Sequence, residues 1–108
     1  MPDLEEDRKA LNRLCDRLRS APETRLVRVE DRLAGSSVAD AVHQAAVWAA
    51  SAQGISDQVP RLHPLASGDQ LRVVGRDLLA WVAGTPTDGT EDVLAEWRAL
   101  IERLRVVV

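Results

Sequence analysis

The chain has 108 residues, of which 45% are hydrophobic and 29% charged, and its formal net charge is -3. That composition excludes global disorder and fits one globular domain, while the negative balance leaves no electrostatic footprint for a polyanion. A single cysteine, Cys15, excludes an internal disulfide scaffold and reads as a buried, inert thiol. The N-terminus, Met-Pro-Asp-Leu-Glu-Glu-Asp, lacks the apolar core of a signal peptide. No apolar run approaches the roughly 20 residues of a membrane span, so a cytoplasmic location is the expectation.

Hydrophobic periodicity and capping signals predict an all-α, single-domain bundle of about five helices over residues 1–108. Predicted helix 1 runs from about Asp3 to Arg19, with Leu4, Leu11, Leu14, Cys15 and Leu18 on a narrow apolar stripe. The rest of its surface is charged, which places it on the outside of the bundle. Predicted helix 2 runs from about Pro22 to Leu33, opened by Ser20 and Glu23 at capping-box spacing and closed by Gly35. Leu26, Val29 and Leu33 form its apolar face.

Predicted helix 3, about Val38 to Gln53, starts at Ser37 with Asp40 three residues on. Its Ala45–Ala50 run is apolar almost all round, so it is expected at the centre, and its alanines allow close approach of neighbours. Gly54 followed by Ile55 reads as its C-terminal cap. A long connection punctuated by Pro60 and Pro64 then leads to predicted helix 4, about Gly68 to Ala83. Ser67 and Gln70 have capping-box spacing there, and Gly75 inside the helix marks a close crossing. Gly84 and Pro86 end it. Predicted helix 5 runs from about Thr90 to Arg105, with Asp88 or Thr90 as its cap. Leu94, Trp97, Ile101, Leu104 and Val108 keep heptad spacing along it. Trp48, Trp81 and Trp97 are expected core anchors. No run of residues reads as a strand.

The chemistry visible in the sequence is sparse. Asp40 and His43 share a helical face, and His63 and Asp69 flank the start of predicted helix 4. With Cys15 these are the metal-ligand candidates, but no H-x-x-x-H, E-x-x-H or C-x-x-C spacing joins them. Asp40 is accounted for more simply by the helix start, and no metal or cofactor is expected. Ser20, Ser37 and Ser67 read as caps, and no serine stands in a G-x-S-x-G turn. Paired inward-facing acids for Mg²⁺ and glycine-rich phosphate loops are both missing. Predicted helices 2 and 3 with Gly35 have the outline of a helix-turn-helix, yet the would-be recognition helix carries no Arg or Lys to read bases.

The reading that remains is a non-catalytic protein-interaction domain, an adaptor or regulator, self-associating as a homodimer. The apolar C-terminal run suggests its surface: Trp97, Ile101, Leu104, Val106, Val107 and Val108, so that deleting residues 104–108 should alter association. Two alternatives stand beside it. One is a small-ligand or enzymatic site built from His43, His63, Asp69 and Asp77, which requires those side chains to converge. The other is a DNA-binding regulator, which requires salt-dependent affinity.

Overall fold

Five α-helical segments carry the fold in the computed structural model, which describes residues 4–54, 59–85 and 89–108. They are α1 (Glu5–Ser20), α2 (Glu23–Leu26), α3 (Val38–Ala52), α4 (Ser67–Gly84) and α5 (Thr90–Val107). The predicted start at Asp3, the contact assigned to Ile55, the stop at Pro86 and the cap at Asp88 lie outside the described residues.

The helices form for the reasons their residues give. Glu5, Glu6 and Asp7 occupy the first turn of α1, and Arg17 and Arg19 the last, each sign at its favourable end of the helix dipole. Leu11, Leu14, Cys15 and Leu18 are its buried stripe. At the start of α3, the Ser37 Oγ accepts a hydrogen bond from the Asp40 N–H at 3.1 Å. At its end, Gly54 takes a left-handed φ of 77° and donates its N–H to the Ser51 carbonyl, as the cap reading required.

The α3 helix is central and α4 shares that position, lying along α3 on one side and α1 on the other. Glycine permits the α1–α4 approach. A Cβ at Gly75 would stand 2.7 Å from Leu11 Cδ2 and 2.9 Å from Trp97 Cη2. One at Gly68, two turns earlier, would stand 3.0 Å from Leu18 Cβ. Trp97 is thereby seated against bare backbone, and it is the largest fully buried side chain. Trp48 and Trp81 are only partly buried against the core, so of the three expected anchors one fills that role completely.

The second predicted helix is a correction. Only one helical turn forms, at Glu23–Leu26, and the chain then makes a miniature hairpin. Strands β1 (Val29–Glu30) and β2 (Ser36–Ser37) pair antiparallel, flanking a 3-10 turn at Asp31–Leu33. Ala34 and Gly35 both adopt positive φ, and the Gly35 N–H closes the loop on the Glu30 carbonyl at 3.1 Å. Leu26 and Leu33 are buried as predicted, but Val29 is 62% exposed, so the three do not share one face.

Three caps also differ from expectation. Ser67 is the first residue of α4, not its cap, and its hydroxyl donates to the Pro64 carbonyl at 2.7 Å. Gln70 reaches back to the Pro60 carbonyl at 2.7 Å and ties down the proline-containing connection. That connection ends in a 3-10 turn, Pro64–Ala66, capped by His63, whose Nδ1 accepts the Leu65 N–H. For α2 the capping position is Pro22, with no side-chain bond from Ser20. At α5, Gly89 precedes the helix and Thr90 is its first residue.

Candidate functional site

The side chains nominated by the sequence form no metal-holding group among the described residues. His63 is exposed and engaged: its Nε2 lies 3.4 Å from Glu23 Oε1 while Nδ1 caps the 3-10 turn. Asp69 and Asp77 are exposed on α4. His43 is half-buried on α3, and its Nδ1 is buried without a hydrogen-bond partner among the described residues. Asp40 is taken by Arg61, whose guanidinium, with the Ser37 cap, holds its carboxyl below the usual carboxylate range. Among the described residues no group of three or more His, Cys, Asp or Glu is arranged to hold a metal ion. That argues against the alternative built on His43, His63, Asp69 and Asp77.

Cys15 is buried against α4, and burial pushes its thiol up to about 11, with the Arg72 guanidinium beside it opposing the shift. Arg72 itself pairs with Asp16 at 2.6 Å on the surface, leaving its buried Nε without a partner. A thiol so far from its thiolate form is not a nucleophile at neutral pH, so the inert reading stands on chemistry as well as burial. The helix-turn-helix outline also dissolves, because a hairpin occupies the place of its first helix.

Nor is the C-terminal run a free surface. Trp97, Ile101, Leu104 and Val107 are core residues. Only Val106 is well exposed, and Val108 is half-buried. The α5 helix continues to Val107, where Arg25 Nη2 donates to the Val107 carbonyl at 3.2 Å. That bond satisfies one carbonyl of the last turn and sets a positive charge at the negative end of the helix.

A site that the sequence did not advertise lies on the other side of α3. A cleft of about 420 Å³ opens between the hairpin, α3 and α5. Its floor is α3: Ala41, Gln44, Ala45 and Trp48, at i, i+3, i+4 and i+7 and so on one helical face. Leu33 and Ser36 of the hairpin region form one wall, Leu100 and Leu104 of α5 the other. Ala41 and Ala45 place two short side chains on that floor. Trp48 is left half-covered at the edge of the core.

Arg32 and Arg103 stand on the two walls, both exposed, and neither has a carboxylate within ion-pair distance among the described residues. Among the described residues the lining includes no Asp and no Glu, although acids outnumber bases in the chain, 17 to 14. Chemically the cleft offers an apolar trough, one amide at Gln44, one hydroxyl at Ser36 and two guanidinium groups. It contains no nucleophile–base pair. The signal that pointed to it was the Ala-Ala-Trp face of α3, read as core packing because nothing local shows which neighbour covers that face.

No helix of the described residues is long and apolar enough to cross a membrane. No family model, no curated protein and no solved structure matches this chain.

Proposed function

We propose that the protein is a non-catalytic interaction module, an adaptor or regulator, that engages another protein through the cleft between the hairpin, α3 and α5. The observation that carries this reading is the half-covered Trp48 beside two alanines on the cleft floor. A rigid aromatic next to a vacant apolar trough is the arrangement that anchors the centre of protein interfaces, where Trp and Arg are over-represented. The trough has the volume of a site for one or a few apolar side chains, well inside the range of about 300–1,000 Å³ for ligand-binding clefts. The cleft supplies binding groups and no catalytic pair, which favours recognition over turnover. Self-association belongs to the same reading, since a second copy is the partner always present.

Native mass spectrometry over a concentration series tests this, run on the wild type and on Ala41→Leu, which fills the cleft from its floor. A dimer or a stoichiometric protein complex that is lost in Ala41→Leu supports the reading. A monomer carrying a stoichiometric metal or small molecule overturns it in favour of ligand chemistry. A bare monomer at every concentration ends the self-association part.

A further inference from the structure

We infer that the occupant of the cleft is a short acidic-apolar segment of a partner protein, one that presents a bulky apolar side chain flanked by Asp or Glu. The inference rests on the interaction-module reading and adds the partner's chemistry. Its basis is the contrast between two clefts that α5 helps to build. The smaller, about 190 Å³, lies against α1, and its charges are internally matched. There Asp7 receives two hydrogen bonds from Arg98, each 2.8 Å, and Glu102 is bridged by Arg105. Nothing there is left to recruit a charged partner.

The larger cleft is the opposite case. Arg32 and Arg103 rise from different walls of one apolar trough, no carboxylate lines it, and neither guanidinium is neutralised from within the described chain. Guanidinium groups are the donors best suited to carboxylates, because their fork takes two oxygens at once. The apolar lining adds the second half of the code: the part-buried Trp48 on the floor and Leu100 on the α5 wall demand a hydrophobic side chain between the charges. A purely polyanionic partner would leave that floor unfilled, and a neutral apolar one would leave both cations unmatched. The chain as a whole carries a net charge of -3, so the two unpaired guanidinium groups of the cleft stand against an acidic background.

Selection of random peptides displayed on phage, against the immobilised full chain, tests the inference. The comparison proteins are the double variant Arg32→Glu/Arg103→Glu and Ala41→Leu. Both arginines are exposed and unpaired, so the double variant keeps its fold, which circular dichroism verifies. The expected result is enrichment of Leu, Ile, Phe or Trp next to Asp or Glu. The selected peptides should bind the charge-reversed protein at least about tenfold more weakly, with affinity falling as salt rises. Ala41→Leu should abolish binding.

Peptides without acids, or with affinity unchanged by the reversal, overturn the inference while leaving the module reading intact. So does a dimer that the two reversals dissociate, which would make a second copy the occupant. Saturable binding of dodecanoate in the cleft with no peptide selected would overturn the inference in favour of a small amphiphile. A chain that selects no peptide, binds no amphiphile and stays monomeric overturns both readings.

Discussion

Gly75 shows how much one side chain decides here. In an exposed helix interior, replacing glycine by alanine gains up to about 1 kcal/mol. At this position the new methyl group would meet the Trp97 ring at 2.9 Å and Leu11 Cδ2 at 2.7 Å. The Leu11 methyl is the end of a side chain and can swing, but the indole is locked in the core, where overpacking costs about 1–3 kcal/mol. Gly75→Ala should therefore be net destabilising by about 1 kcal/mol, read as a lower urea midpoint. A higher midpoint would mean that Trp97 is free to move. Cys15 gives a second test at this scale. With its thiol raised to about 11, roughly a thousandth is thiolate at pH 8. The folded protein should resist thiol reagents there and react fully in denaturant.

Asp40 carries the clearest pH dependence. Its carboxyl is held below its ordinary value by Arg61 and by the Ser37 cap. A carboxylate whose folded pKa is depressed stabilises the fold fully above its unfolded pKa, and that contribution is lost as pH falls through the lower, folded value. Both partners are about half exposed, at 51% and 44%, so solvent screening limits the pair to less than about 1 kcal/mol. Thermal melts of wild type and Asp40→Asn should differ slightly at pH 7 and converge as the pH falls through the depressed folded pKa. Curves that run parallel across that range would show that the Arg61 contact contributes nothing to stability.

At the scale of elements, the longer helices were legible because each repeats an apolar residue at three- and four-residue spacing over several turns. The segment after α1 was not. Leu26, Val29 and Leu33 match a helical face by spacing, and Gly35 matches a helix stop. The same residues also satisfy a strand, a tight turn and a returning strand, and over so few residues periodicity cannot choose between them. Tertiary burial of Leu26 and Leu33 decided it, leaving Val29 to the solvent. The start of α3 was readable because a serine followed by an acid three residues on is a local device. Ser37→Ala should cost about 1 kcal/mol by removing the bond to the Asp40 N–H, measured by chemical denaturation. Ser67 had the same look but serves the preceding turn, since the proline-containing connection enters α4 already helical and needs no separate cap.

At the scale of the molecule, the cleft was not legible because it is assembled from residues 32–36, 41–48 and 100–104, which only the folded topology brings together. The same topology reverses the meaning of the C-terminal run. As sequence, Leu104-Arg-Val-Val-Val looked like an uncovered apolar tail. Folded, Leu104 and Val107 are 2% and 7% exposed, and the Val107 carbonyl is held by Arg25 across the bundle. Deleting residues 104–108 is therefore a test of stability and not of association. It removes two core side chains, each worth about 2–5 kcal/mol when lost from a packed interior. It also frays the end of α5, in a protein of a size whose total stability is about 5–15 kcal/mol. The truncated chain should lose most of its cooperative thermal transition, whereas the double charge reversal at Arg32 and Arg103, both solvent-exposed, should leave the melting temperature nearly unchanged. If the truncated protein melts as sharply and as high as the full chain, α5 is not the structural wall it is taken to be. The cleft it bounds would then need another architecture.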